Sequence, residues 1–230
     1  GKVAAVMLEP VAGNMGCIPP AEGYLEALRE LCTQHGTLLV FDEVMTGFRL
    51  ARGGAQERVG VHADLTCMGT VVGGGYPLAA FGGRADIMDH LSPVGPVYQG
   101  GTLSGNPVAV AAGLATLRQL DDAAYDRLEK VGSAIEKGLA SAVGYLGCSD
   151  ARVGSMFTIV VRDTAPTRFD EVLQCDLEAF GRFYRAALAG GVYMPPSQYE
   201  AAFLNTAMTD SQVNKVVDGL QSALVAALLD

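Results

Sequence analysis

Residues 65–75 read LTCMGTVVGGG, an apolar run that ends in Thr70, two valines and three glycines. The apolar start is typical of a buried strand, and three successive glycines permit a very tight loop after it. Upstream, residues 38–44 read LLVFDEV, a second apolar run that leads into the carboxylates Asp42 and Glu43. Because open parallel sheets bind ligands at the carboxyl ends of their strands, we expect these two strand ends to face one pocket.

The composition predicts a soluble protein that acts on small molecules. Half of the 230 residues are hydrophobic, but no run of apolar residues is long enough to predict a membrane span. The net charge of −9 argues against a surface for nucleic acid or for an anionic membrane. The five cysteines are scattered with no metal-ligand spacing, so we expect free thiols in a reducing compartment and no metal site.

The first half of the chain has the pattern of a parallel α/β layer. An apolar run at 2–8, a helical pattern at 22–34 and a strand at 38–41 form a β-α-β unit, which requires parallel strands. The first of these strands is expected to be buried on both faces. The pattern continues to about residue 120, with strands at 64–68 and 78–82, helices at 84–91 and 107–120, and a short helix within 46–60.

The second half predicts a smaller α+β unit. Its expected elements are a strand at 152–161, a helix at 176–189, short strands at 192–194 and 202–205, and a terminal helix at 209–229 capped by Thr209 or Asp210. A long helix at 124–142 is interpreted as a spine that belongs to the first domain. The predicted domains are therefore residues 1–143 and residues 144–230.

Three predicted strands end in polar or glycine-rich segments, marked by Asn14, by Asp42 with Glu43, and by Gly69 with Thr70. Each signal alone has a common structural explanation: an Asx turn, a structural carboxylate, or an ordinary glycine turn. Their occurrence at successive strand ends predicts a ligand site at one edge of the sheet.

Three blocks of sequence, in order, resemble the glutamate-1-semialdehyde 2,1-aminomutases, which are class III aminotransferases with the fold-type I pyridoxal-phosphate architecture. The blocks are GTLLVFDEVMTGFRLARGGAQE at 36–57, DLTCMGTVVGGGYPLAAFGGRADIMDHL at 64–91, and GPVYQGGTLSGNPVAVAAGLATL at 95–117. The segments RVGSMFTIVV and GVYMPPSQYEAAF also match, so the resemblance covers nearly the whole chain. It implies the parallel-sheet part of a large cofactor-binding domain, followed by a small α+β domain.

The resemblance also implies site residues. Asp42 would pair with the pyridine nitrogen of pyridoxal or pyridoxamine 5'-phosphate and keep it protonated, and Val44 would pack on the ring. Asn14 would lie near the ring's 3-hydroxyl group, and Glu200 near the active site, where the family has a glutamate linked to substrate control. Thr102 would donate to the cofactor phosphate of a neighbouring subunit.

Thr102 has an alternative explanation that the residues themselves leave open. Together with Ser104, it precedes Asn106-Pro107, where a helix is expected to begin. Either hydroxyl could therefore serve as a helix cap rather than as a phosphate ligand.

Two departures from the family pattern matter. The family's Schiff-base lysine is expected 28 residues after Asp42 (42 + 28 = 70), and this chain has Thr70 there. A hydroxyl cannot form the imine, and it cannot shuttle a proton as an amine does. The family's amino-terminal half, which supplies part of the phosphate site, is also missing, so we expect the chain to belong to a longer polypeptide or to meet that half in another chain.

The expected function is therefore that of a glutamate-1-semialdehyde 2,1-aminomutase relative, which would transfer an amino group within an amino-acid semialdehyde to give 5-aminolevulinate for tetrapyrrole synthesis. With Thr70 the chain is expected to be inactive or severely impaired and to bind its cofactor without a covalent bond. The alternatives are a non-catalytic subunit that pairs with an active homologue, and a β-amino-acid or D-phenylglycine aminotransferase. A homodimer in the cytoplasm, or in the plastid stroma of a plant, is expected.

Overall fold

A computed structural model describes residues 1–229 as two compact units. The first unit contains residues 1–10 and 20–121, and the second contains residues 11–19 and those from 122 onwards. In the part of the chain that the model describes, no helix combines the length and the apolar character needed to cross a membrane.

The first unit is built on a four-stranded sheet in the order β1-β2-β3-β4. Its strands are β1 (Ala5–Leu8), β2 (Leu38–Glu43), β3 (Leu65–Met68) and β4 (Ala80–Gly83). Its helices are α1 (Tyr24–His35), α2 (Gly54–Val59), α3 (Ala85–Met88) and α4 (Pro107–Leu117). Strands β1, β2 and β3 are parallel, which confirms the predicted α/β class.

Two strands differ from the sequence prediction. Strand β4 runs antiparallel to β3, because residues 69–79 form consecutive tight turns and contain no crossover helix to bring the chain back to the other end of the sheet. Strand β1 lies at an edge of the sheet and is not buried on both faces, and Met7 is 58% exposed.

Strand β2 carries the core of the first unit. Leu39, Phe41 and Glu43 are buried on one face, whereas the residues between them are half-buried. Leu39 and Phe41 pack with Leu25 and Cys32 of α1. The alternation arises because successive side chains of a strand point to opposite faces of the sheet.

The second unit joins helices to a three-stranded antiparallel sheet in the order β5-β6-β7. Its elements are α5 (Asp122–Tyr145), β5 (Ser149–Val153), β6 (Met156–Val160), α6 (Phe169–Val172), α7 (Leu177–Ala189), β7 (Ala202–Phe203) and α8 (Asp210–Leu228). A Thr209 capping box begins α8, which decides between the two predicted caps.

Two strand predictions in this unit are wrong. Residues 152–161 do not form one strand, because Gly154 adopts a left-handed conformation (φ +57°) and turns the chain into the hairpin of β5 and β6. Residues 192–194 form no strand, because the backbone N–H of Val192 donates to Ala187 and completes the end of α7 instead of a sheet ladder.

The long helix α5 packs with the second unit, whereas the sequence reading assigned it to the first. Its buried stripe, which includes Val131, Ile135 and Leu139, belongs to the same core as Leu220 and Leu224 of α8. Packing therefore divides this chain at residues 121 and 122. The predicted division of the chain into domains 1–143 and 144–230 stays a prediction.

Asp64 ties the amino-terminal ends of β2 and β3 to two helices. Its buried carboxylate accepts hydrogen bonds from the backbone N–H of Leu39 (2.7 Å), from Arg29 of α1 (2.8 Å) and from Arg84 (2.9 Å), just before α3. Burial raises the pKa of Asp64, but the hydrogen bonds from Leu39, Arg29 and Arg84 lower it by more, so the pKa lies below its ordinary value.

Replacing Asp64 with Asn should lower the free energy of unfolding by about 3 kcal/mol at neutral pH, because two arginines lose their buried partner. Because the folded-state pKa is depressed, this stabilisation is present above the unfolded pKa of about 4 and is lost as the pH falls. The difference between the two proteins should therefore shrink in acid. Urea denaturation at several pH values measures it, and the exposed Asp86→Asn change, which also removes a partner of Arg84, should alter stability little.

Candidate functional site

Asp42 lies at the carboxyl end of β2, on the face opposite to Glu43. Its side chain is half-buried, and Oδ1 accepts a hydrogen bond from the backbone N–H of Val44 (3.0 Å). It is paired in register with Cys67 of β3. Burial, and then the negative charge of Asp42, raise the pKa of the Cys67 thiol. Asp42 is thus a half-buried carboxylate at the carboxyl end of β2.

Thr70 is exposed at the start of the loop that follows β3. The preceding residue, Gly69, lies against Val44, since a Cβ on Gly69 would come within 3.0 Å of a Val44 methyl group. The parallel register of β2 and β3 therefore brings Asp42, Val44 and Thr70 to the same edge of the sheet.

The loop after Thr70 packs on α4 at Val72 and Gly74. Gly74 has a φ of +57°, and a Cβ there would lie 2.6 Å from the carbonyl oxygen of Ala112. On the helix side, a Cβ on Gly113 would lie 2.2 Å from the carbonyl oxygen of Val72. This backbone-to-backbone approach explains Gly74 and Gly113, and it fixes the loop that carries Thr70.

Thr102 is exposed in the segment before α4 and is not the cap of that helix. Asn106 is the cap, because its side-chain oxygen accepts from the backbone N–H groups of Val108 (3.0 Å) and Ala109 (3.2 Å). The capping alternative for Thr102 and Ser104 is therefore removed, and the Thr102 hydroxyl is exposed to contact another molecule.

Asn14 and Glu200 belong to the second unit. Asn14 is exposed in a loop held together by reciprocal backbone hydrogen bonds between Ala12 and Ile18, and Gly16 in this loop donates to Tyr199 (3.0 Å). Glu200 is exposed and lines a cleft of about 850 Å³. The structure thus connects the Asn14 loop to the segment that carries Glu200.

The donor set at the edge that carries Thr70 fits a pyridoxal-type cofactor in part. The Asp42 carboxylate can accept a hydrogen bond from a pyridinium nitrogen. Among the described residues of the first unit, Lys2 precedes β1 at the opposite end of the sheet, and Lys130, Lys137 and Lys215 lie on α5 and α8 of the second unit. The residue at the end of β3 is thus a threonine, whose hydroxyl group cannot form an imine.

Sequence reasoning treated Glu43 only as a companion of Asp42 and missed Gln198. Both side chains are almost completely buried, and Gln198 Nε2 donates to the carbonyl oxygen of Ile159 (3.0 Å). The alternating pattern of LLVFDE carried the signal for Glu43, since it places this residue on the same face as Leu39 and Phe41.

Comparison with known proteins gives a consistent picture. The family model for class-III aminotransferases matches residues 1–224. A glutamate-1-semialdehyde 2,1-aminomutase from Sorangium cellulosum is 53% identical over 98% of this chain and 52% of its own length. The chain therefore spans about half the length of the curated relatives that it matches.

Solved structures agree on the fold. A β-phenylalanine aminotransferase from Variovorax paradoxus superimposes with a TM-score of 0.83 at 32% identity, over 96% of this chain and 52% of that one. A glutamate-1-semialdehyde aminomutase from Pseudomonas aeruginosa, a lysine-to-alanine variant in complex with PMP, gives 0.86 at 25% identity, over 97% and 52%.

The Gly113→Ala change should destabilise the first unit by about 2 kcal/mol, because the new methyl group would overlap the carbonyl oxygen of Val72. In the matched control Gly144→Ala, on α5, the new methyl group meets no neighbouring atom. This control should raise stability by about 0.5–1 kcal/mol through helix propensity. Thermal unfolding measures both, and equal effects would contradict the close packing of loop and helix.

Proposed function

This chain belongs to the class-III aminotransferase family, and from that premise we propose that it is part of a glutamate-1-semialdehyde 2,1-aminomutase-type protein that holds its cofactor without a covalent bond. One observation carries the proposal. The exposed residue at the end of β3, beside Val44 and at the same edge as Asp42, is Thr70 and not a lysine.

In this proposal, the chain's own residues hold pyridoxal or pyridoxamine 5'-phosphate. When bound, the cofactor supplies an electron sink for amino-group transfer. Asp42 accepts a hydrogen bond from its ring nitrogen, Val44 covers one face of its ring, and Asn14 lies near the 3-hydroxyl group. Thr102 donates to the phosphate in a second subunit, and Glu200 contributes to control of the semialdehyde substrate.

Thr70 limits what such a site can do. A threonine hydroxyl does not ionise near neutral pH, so it is a poor base and cannot take a proton from substrate carbon and return it elsewhere. We therefore propose that amino transfer to 5-aminolevulinate is very slow in this chain. The Pseudomonas aeruginosa lysine-to-alanine variant in complex with PMP supports non-covalent binding by a relative.

Two other functions remain as alternatives. In the first, the chain is a non-catalytic subunit that pairs with an active homologue and contributes Thr102 to its site; the lack of an amine at residue 70 favours it. In the second, the chain derives from an aminotransferase of β-amino acids, which the likeness to the β-phenylalanine aminotransferase favours. The higher identity to the Sorangium cellulosum aminomutase supports the first-named function over this one.

We also propose that a second copy of the chain, or a homologue, covers the surface around Thr102. Residues 91–117 contain no Asp, Glu, Lys, Arg or His, although 18% of the whole chain is charged. Much of this segment is nevertheless exposed, including Tyr98, Leu103, Val110 and Leu114. An extended uncharged, apolar surface of this kind is typical of a subunit interface.

The Thr70→Lys variant should attach pyridoxal 5'-phosphate covalently, because it places an amine at the edge of the sheet that carries Asp42. Borohydride reduction followed by mass spectrometry of the peptide that contains residue 70 measures the attachment. The unaltered chain and the Thr70→Ala variant should remain unlabelled at that peptide. Labelling of Thr70→Ala at a native lysine, or no labelling of Thr70→Lys, would contradict the proposal that residue 70 lies at the cofactor site.

The Val110→Glu change should weaken self-association or pairing by about tenfold or more, because a carboxylate would be buried without a partner in the proposed interface. Val225→Glu, on α8, is the matched control, since the two valines are 42% and 44% exposed. Sedimentation velocity over a range of concentrations measures association. The interface proposal fails if the two variants associate alike.

A further inference from the structure

The geometry points to Glu43 as a positioning residue that sets the orientation of Asp42 at the cofactor site. The inference rests on the proposed function, because Asp42 matters here as the partner of the cofactor's ring nitrogen. Glu43 itself lies on the opposite face of β2 and would not touch the cofactor.

Glu43 is held by four hydrogen bonds although its side chain is only 1% exposed. Oε2 accepts from the Thr46 hydroxyl group (2.8 Å) and from the backbone N–H of Ala55 (2.6 Å). Oε1 accepts from the side-chain amide of Gln56 (3.0 Å) and more weakly from its backbone N–H (3.4 Å). These four donors are neutral, and their number compensates for the burial of the carboxylate.

Gln56 extends this network to the neighbouring strand. Its side-chain amide also donates to the hydroxyl group of Thr66 on β3 (3.0 Å), and its oxygen accepts from the backbone N–H of Ala63 (2.8 Å). Glu43 therefore joins the end of β2 to the start of α2 and, through Gln56, to β3. This network of Glu43, Thr46, Gln56 and Thr66 is called the Glu43 clamp below.

The clamp acts on Asp42 through the backbone. The backbone carbonyl of Glu43 accepts a hydrogen bond from the N–H of Gly47 (2.9 Å). Both the side chain and the backbone carbonyl of Glu43 are therefore held by hydrogen bonds. The next N–H, that of Val44, donates to Asp42 Oδ1, and the Val44 side chain lies against Gly69. A rotation of the peptide between residues 43 and 44 would therefore move two groups together. These are the Asp42 carboxylate and the Val44 side chain, which lies against Gly69 beside Thr70.

The surroundings of residue 43 suit a glutamate better than a glutamine or an aspartate. A Cβ on Gly54, whose φ is +72°, would lie 2.3 Å from Glu43 Oε2, so the space for the carboxylate depends on that glycine. A glutamine at position 43 would turn one acceptor into a donor, and this donor would face Ala55 N–H or the Gln56 amide. An aspartate would be one methylene group too short to reach them.

The experiment compares Glu43→Gln with Asp64→Asn. Both changes remove a buried carboxylate beside the same two strands, but Asp64 lies at their amino-terminal ends and away from Asp42. Two readouts are measured in the protein: hydrogen exchange of the Val44 amide by NMR, and the dissociation constant of pyridoxamine 5'-phosphate from its fluorescence. The first readout needs no cofactor.

Glu43→Gln should speed exchange of the Val44 amide about tenfold and weaken pyridoxamine 5'-phosphate binding about tenfold, the effect of losing one charge-assisted hydrogen bond. Asp64→Asn should leave both within about twofold although it lowers the melting temperature. Should Glu43→Gln not fold, Thr46→Val removes a single donor of the clamp and should shift both readouts in the same direction by a smaller factor.

The outcomes separate the two proposals. Failure of the unaltered protein to bind pyridoxamine 5'-phosphate would count against the proposed function, while exchange at Val44 would still test the clamp. If Glu43→Gln, or Thr46→Val in its place, changes Val44 exchange no more than Asp64→Asn does, Glu43 is an ordinary structural carboxylate and the inference is overturned.

Discussion

The parallel pairing of β2 with β3 is the constraint on which the candidate site depends. Parallel strands place their carboxyl ends at one edge of a sheet, so Asp42, Val44 and Thr70 meet there although they are far apart in sequence. A slip of one residue in this register would turn Asp42 to the face that Phe41 now fills and would bury its carboxylate among apolar side chains. The apolar alternation of β2 therefore specifies the site as well as the core.

Two buried carboxylates hold that register from opposite ends. Asp64 is paired with two arginines and a backbone N–H, whereas the four hydrogen bonds that Glu43 accepts come from neutral groups. An ion pair of this kind offsets the cost of burial through charge, and a set of neutral hydrogen bonds does so through their number. Because each carboxylate contacts residues on more than one element, both specify how helices and strands are joined at that end of the sheet.

The sequence predicted much of the fold and of the site, and the predictions that were wrong or missing have identifiable physical causes. The run LTCMGTVVGGG predicted a strand and a tight loop because local apolar pattern and glycine content decide both. The direction of β4 was not readable, since it depends on where residues 69–79 bring the chain, which is a tertiary outcome. The hairpin at Gly154 was missed because one glycine in an apolar run is equally compatible with a continuous strand. The role of Glu43 was hidden because its partners, Ala55 and Gln56, lie beyond the reach of local pattern.

The position of Thr70 separates the fold from the chemistry. Its side chain is exposed, and the elements that shape its surroundings are held by other groups: Val44 against Gly69, the glycine loop against Gly113, and the network around Glu43. Because none of these contacts requires a particular side chain at residue 70, an amine or a hydroxyl there can be exchanged with little effect on stability. The fold, the carboxylate at Asp42 and the uncharged surface around Thr102 are therefore all compatible with a threonine at this position.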